Sequence, residues 1–355
     1  MMELGSEFSL GGSGRFCEDN IFRFLREFDT IYVDSGRSAL KLLCGLLPPG
    51  KILLPSYICE SVYTCFPADR VCFYELTQDL QIDCNRLFEQ LNGDISTVYL
   101  HYFNGVLPSE TTLLKLRKAR ETQTFQIIED TTHSIFSSPL TIGDYGFCSL
   151  RKWFPIPDGG ALYGRNLNGL TANGEAPWVQ KKARAMRRKR AYLSGREGQD
   201  CKTEYRKLFA DCDHTLDVQQ NCYGMSETSR EILAGCSVSQ MISSRKKNAE
   251  RMKTAIVEEF PWLRPLAWTR ENECPLFLPV ETEKRDKLRA YLISKNVYCA
   301  VHWPLRGTPM EAMGTAIISD RELSLPIDQR YHGAEMEYLL DCLRCYGKDT
   351  YAEAD

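Results

Sequence analysis

Residues 125–164 read FQIIEDTTHSIFSSPLTIGDYGFCSLRKWFPIPDGGALYG. The stretch opens with an apolar strand that ends on an acid, Asp130. A single lysine, Lys152, follows between two short strands, and a Gly-Gly turn closes the segment. A carboxylate at the C-terminal end of a buried parallel strand stands where open α/β sheets bind their ligands. Lys152 lies among apolar and aromatic residues, beside Trp153 and Phe154. Desolvation there lowers an amine's pKa and makes it nucleophilic.

Working outward, residues 35–164 alternate strand and helix patterns. Helical spacing over 38–47, 58–66 and 80–91 is interleaved with strand patterns at 51–55, 71–75 and 97–101. Ser109 is placed to cap a basic amphipathic helix that runs to Glu121. This rhythm predicts a mostly parallel sheet covered by helices. Residues 165–225 carry no strand pattern and contain QKKARAMRRKR at 180–190. Residues 226–260 read as one or two helices. Residues 261–346 mix strands such as PLFLPV and VYCAVHW with helices. The expected class is α/β, with a large domain over 1–240 and a smaller α+β domain over 241–355.

The 355-residue chain is long enough for that arrangement. Its net charge of -3 predicts no general attraction to nucleic acid or membrane. No apolar run approaches the ~20 residues of a membrane-spanning helix, and MMELGSEFSLGGSGR lacks the basic and apolar regions of a secretory signal. The fifteen cysteines are scattered, several of them, such as Cys44, Cys72 and Cys148, in apolar elements. They read as small hydrophobes of a reducing cytoplasm. Cys342 and Cys345 form a lone C-x-x-C pair without a second pair at metal-ligand spacing, so no metal is expected.

Upstream, VDSGRSALKLL at 33–43 places Ser35-Gly36-Arg37-Ser38 between a β-like segment and a helix. A helix N-terminus offers unpaired N–H groups and partial positive charge to a phosphate. The same residues suit an N-cap without a ligand. Phosphate turn, then acid, then lysine is the order of a pyridoxal 5'-phosphate (PLP) site. In that reading Asp130 faces the pyridine nitrogen, which lets the ring accept electrons, and Lys152 forms the Schiff base. His133 stands by the phenolic oxygen.

These motifs resemble those of the DegT/DnrJ/StrS family of fold-type-I, PLP-dependent sugar aminotransferases, over most of the chain. SGRSAL is similar to the family's phosphate turn, LLPSYICESV to its Pro-x-Tyr segment, HYFNG to its His-x-aromatic-Gly turn and IIEDTTHS to its Glu-Asp-Ala-Ala-His/Gln motif. The most specific match is GDYGFCSLRKWFPIPDGGAL. VHWPL and LSLPID resemble segments of the small domain. The resemblance implies catalytic roles for Lys152, Asp130 and His133. It implies cofactor contacts from Ser35, Gly36, Arg37, Ser38, Cys59 and Ser149, with Gly36 and Arg37 acting through backbone amides. His302 and Tyr57 would meet substrate.

Departures accompany it. Arg37 replaces a small hydroxyl residue, Ser149 and Lys152 stand closer than is typical, and Asn104 lengthens the His-aromatic-Gly turn. Cys59 falls where an aromatic ring usually stacks on the cofactor, a part Tyr57 is placed to take over. Relatives with histidine in place of the lysine dehydrate sugars, so Lys152 implies transamination, with Lys152 as the general acid/base. The implied reaction moves an amino group, with glutamate as donor, to a nucleotide-linked keto sugar for a surface polysaccharide or secondary metabolite. The implied assembly is a cytoplasmic homodimer with active sites at its interface. The same residues also suit a PLP enzyme with a non-sugar substrate, or a PLP-binding member without turnover. The basic run at 181–190 reads first as a solvated face and second as a diphosphate site. Without interleaved aromatics it does not point to nucleic acid.

Overall fold

A computed structural model describes residues 2–12 and 14–351. Its centre is a seven-stranded sheet. The strands are β1 (Asp29–Val33), β2 (Lys51–Pro55), β3 (Val71–Tyr74), β4 (Ile95–His101), β5 (Gln126–Asp130), β6 (Tyr145–Ser149) and β7 (Gly160–Gly164). They lie in the order β1-β7-β6-β5-β4-β2-β3. All neighbours are parallel except β7, which is antiparallel to β1 and to β6. The inner strands are buried on both faces, as in Ile127 and Ile128 of β5 or Val98, Tyr99 and Leu100 of β4. Such apolar runs belong to a sheet covered on both sides.

Helix α1 (Gly36–Cys44) begins with Ser35, whose hydroxyl accepts from the Ser38 N–H at 3.1 Å. Two expected helices are shorter than their periodicity suggested. The helix at 58–66 contracts to Glu60–Tyr63, closed ahead of Pro67, which cannot continue a helix. The helix at 80–91 starts only at Cys84. Leu80 takes a left-handed φ of 56° and Asp83 caps the N–H groups of Asn85 and Arg86.

Residues 165–225 contain two helices packed on each other, α2 (Val179–Leu193) and α3 (Gln199–Val218). The basic run is therefore helical, and much of its charge is compensated within the chain. Lys182 pairs with Glu7 and Asp213, Lys189 with Glu3, and Arg184 and Arg188 with Glu204.

A second core surrounds β8 (Leu278–Glu281), β9 (Glu322–Leu325) and the helices α4 (Val238–Glu259) and α5 (Gly333–Tyr351). Helix α4 runs unbroken through position 240. Leu4 belongs to this second core, and Leu4–Gly5 pairs in parallel with Val297–Tyr298. The N-terminal segment thus straps across to the C-terminal part. All fifteen cysteines are free. Among the described residues no helix is long and apolar enough to cross a membrane, and no His/Cys/Asp/Glu cluster suits a metal ion.

Candidate active site

The sheet register assembles the site. His101 ends β4 and Asp130 ends β5, and the two are register partners. Gly160 opens β7 as the partner of Val33 on one side and Ser149 on the other. The start of α1 is thereby drawn against the end of β6. A Cβ on Gly160 would stand 2.5 Å from the Ser35 carbonyl, and one on Gly36 would stand 3.1 Å from the Ser149 Cβ. The Gly-Gly turn is therefore a close-approach device. Gly159, with φ of 145°, donates its N–H to the Asp34 carbonyl.

A cavity of about 190 Å³ lies over these strand ends, between Gly36, Arg37 and Ser149 at one end and Asp130, His133 and Lys152 at the other. The Asp130 carboxylate accepts from the Tyr99 hydroxyl (2.9 Å) and from the Thr132 N–H (2.9 Å). His101 Nδ1 stands 3.3 Å from Oδ2, close enough for an ion pair but without hydrogen-bond alignment. Burial pushes the Asp130 carboxyl up, but His101 and the Thr132 bonds outweigh it and the net shift is downward. Asp130 is thus a fixed anion.

Lys152 ends a short 3₁₀ turn after β6, and its Nζ lies 3.1 Å from His133 Nε2. Burial pushes the Lys152 amine down, assisted by the Arg151 and Arg37 charges and opposed by Cys59 and Asp130. Burial likewise holds the His133 imidazole well below its usual range, with the Lys152 charge second. His133 Nδ1 accepts from the Asn104 N–H at 3.5 Å. On that pattern the neutral ring carries its proton on Nε2, facing the Lys152 amine. The extra residue of the HYFNG turn has a role here. Asn104 adopts φ of 54°, and its side chain also bonds Ala267 O and Phe277 N.

The donor set fits PLP. Arg151 Nε is buried without an acceptor, and Arg151 borders the same cavity as Gly36 and Arg37 at the helix start. An orphaned cationic donor and a helix N-terminus on one cavity suit a phosphate. At the other end a buried anion suits a pyridinium and a depressed amine suits an aldehyde. The Arg37 side chain pairs with Asp217 of α3 at 2.6 Å, and Arg37 borders the cavity.

Not every expected residue arrives there. Gly36, Arg37, Cys59, Asp130, His133, Ser149 and Lys152 border the cavity. Ser35 and Ser38 lie behind it, their hydroxyls bonded to each other in the cap. Tyr57 is fully buried, its hydroxyl donating to the His302 carbonyl, so it offers no exposed face to the cavity. His302 is held by Glu322 and Ser324 and borders a second, larger chamber.

Sequence reasoning passed over Arg151, Thr132, His101 and Trp303, all of which border the cavity. Trp303, with φ of 27°, stacks on His133 at 5.5 Å and 22°. Trp303 and Cys59 both border the cavity, and Trp303 is the aromatic one of the two. Its signal was present in VHWPL, but no spacing rule ties that segment to residues so distant in the chain.

No family model and no curated protein matches the chain at the sequence level. Solved structures do. Spr1654 of Streptococcus pneumoniae, described as a sugar aminotransferase, is 13% identical and aligns 99% of this chain with 94% of its own at a TM-score of 0.66. DesV of S. venezuelae, solved with a ketimine intermediate, is 18% identical over 97% of this chain and 91% of its own, with a TM-score of 0.63. A DegT DnrJ EryC1 StrS aminotransferase of Brucella abortus is 15% identical over 96% and 91%, at 0.58. The chain has the fold of these aminotransferases.

Proposed function

We propose that the protein is a PLP-dependent aminotransferase that moves an amino group from an amino acid, glutamate in the first instance, to a nucleotide-linked keto sugar. The observation that carries this reading is the Lys152 amine, depressed by burial and 3.1 Å from His133 Nε2, in one cavity with the anionic Asp130 and the orphaned Arg151 donor. The full-length likeness to sugar aminotransferases supports the sugar.

When bound, PLP would supply an electrophilic aldehyde and a ring that takes up the electron pair left on the substrate carbon after deprotonation. The chain's residues do the rest. Gly36 and Arg37 backbone amides, Ser149 and Arg151 would hold the phosphate. Asp130 would keep the ring nitrogen protonated, its own charge favoured by Tyr99, Thr132 and His101. Lys152 takes the substrate proton and returns it, and His133 orients the Lys152 amine. Trp303 and Thr132 shield that proton from water. The same reading includes a cytoplasmic homodimer with active sites at its interface, in polysaccharide or secondary-metabolite synthesis.

The test is spectroscopic. Protein loaded with PLP is expected to be yellow and to be fixed by borohydride at Lys152, with the colour bleached by glutamate and restored by a keto sugar nucleotide. Loaded protein fixed at another lysine would overturn the assignment.

A further inference from the structure

The loop 266–277 forms a seam with the turn that follows β4. It leaves the second sheet after Pro265 and rejoins it at Leu278, the start of β8, and Pro265 pairs antiparallel with Val280 of that strand. Between those points hydrogen bonds tie it to residues 105–107 and 137. The Leu107 N–H donates to Glu273 Oε1 (2.9 Å), and Arg270 Nη2 donates to the Leu107 carbonyl (2.7 Å). The Ser137 hydroxyl donates to the Gly105 carbonyl (2.6 Å) and accepts from the Cys274 N–H (2.9 Å). A Cβ on Gly105 would stand 2.4 Å from the Cys274 carbonyl, so the two backbones are in close approach.

Asn104 carries this seam to the active site. It is 1% exposed and left-handed, with φ of 54°, a conformation that asparagine tolerates better than most side chains. Both amide groups bond the loop: Nδ2 donates to the Ala267 carbonyl (3.1 Å) and Oδ1 accepts from the Phe277 N–H (2.8 Å). Only one orientation of the amide satisfies both, which fixes the side chain. The backbone N–H of the same residue donates to His133 Nδ1 (3.5 Å), and His133 Nε2 meets Lys152 Nζ (3.1 Å).

A neutral imidazole has one acceptor nitrogen. Burial holds the His133 ring neutral. A Lys152 ammonium has only donors, so it would need Nε2 as its acceptor. The Asn104 N–H and that ammonium therefore compete for the single acceptor of the ring.

We propose that Asn104 is a positioning residue for Lys152: while its side chain is docked on loop 266–277, its N–H occupies His133 Nδ1 and turns the Nε2 proton toward the Lys152 amine. Docking of the loop from the second sheet thus prepares the lysine of the first. The role rests on the aminotransferase reading for its use, since that reading needs an uncharged amine, but its geometry involves no cofactor.

The test uses the full-length protein without cofactor. Its histidines are labelled with ¹⁵N, the His133 ring is assigned through His133→Asn, and NMR reads which nitrogen carries the proton. Labelling of Lys152 by propanal and cyanoborohydride is followed against pH. Asn104→Gly keeps the left-handed backbone without strain and removes both amide bonds to the loop. Wild type is expected to show a proton on Nε2. In Asn104→Gly the Nδ1-protonated ring is expected to appear, and labelling near pH 7 to slow by about 10-fold, which corresponds to a rise of about one pKa unit. If Asn104→Gly does not fold, Asn104→Asp, which keeps the acceptor for Phe277 and loses the donor to Ala267, is expected to shift both readings in the same direction. A merely structural role would lower the denaturation midpoint and leave ring and labelling profile unchanged. That result, or Nδ1 protonation in wild type, overturns the proposal. Failure to take up PLP sinks the aminotransferase reading instead and leaves both measurements standing.

Discussion

His101 and Asp130 are register partners at the C-terminal ends of adjacent parallel strands, with imidazole Nδ1 3.3 Å from carboxylate Oδ2. Because the Asp130 carboxyl is held below its ordinary value of about 3.9, the anion persists as pH falls through that range. Its contribution to stability is present above that value and is lost as pH falls through the lowered one. In His101→Asn the acid limb of the rate profile is expected to move to higher pH, because Asp130 loses the neighbour that most favours its charge. An unchanged acid limb would show that Tyr99 and Thr132 fix the charge unaided. Asp130→Asn is expected to lower turnover by about 10²–10³-fold, as removal of a preorganised electrostatic partner does.

Lys152→Ala removes the group assigned to the proton transfer. Single-turnover rates with glutamate are expected to fall by about 10²–10⁴-fold, the range of a general base. Added small amines should restore part of the rate, since the cavity retains the rest of its lining. Because burial depresses the Lys152 amine, its uncharged fraction in the cofactor-free protein rises at a lower pH than for a surface lysine. Labelling by an aldehyde, followed against pH, measures that shift directly.

Gly160→Ala tests the close approach that builds the phosphate end. The added Cβ would meet Ser35 backbone atoms at 2.5 Å, and backbone cannot swing aside as a side chain does. A loss of about 1–3 kcal/mol in urea denaturation is expected, together with weaker PLP binding in a fluorescence titration. Native affinity in a destabilised variant would separate the turn from the cofactor.

Glu3→Gln tests the N-terminal strap. The Glu3 side chain is 2% exposed and lies 2.9 Å from Lys189 and 3.2 Å from Lys202. Burial pushes the Glu3 carboxyl up, yet the two lysines outweigh it and lower it overall. The pair stabilises above the ordinary carboxylate range and is lost as pH falls through the lowered value. Lys189 keeps Ser6 Oγ and the Glu7 carbonyl, and Lys202 keeps Asn296 Oδ1, but both buried ammonium groups lose their shared carboxylate, which is expected to cost about 3 kcal/mol. The strap borders the second chamber, so proteolysis near residues 3–8 should quicken as well. An unchanged denaturation midpoint would mean that the strap contributes no stability.

The sequence alone determined the β-α-β order, the polarity of each strand end, and the sequence Gly36, Asp130, Lys152. Periodicity and caps are local, and in a parallel α/β fold they place ligand-facing residues at strand ends without reference to the rest of the chain. Tertiary structure alone decided which of those residues meet. Register pairs His101 with Asp130 and lets Gly160 bring Ser35 to Ser149. The distant segments 5–8, 245 and 302–303 reach Lys152 or its cavity only through packing of the second core against the first. Tyr57 shows the limit from the other side. Its motif placed it at the site, and the structure buries it against Phe103 and Trp303, the second of which borders the cavity. Side-chain burial depends on contacts across hundreds of residues, and no spacing along one strand records them.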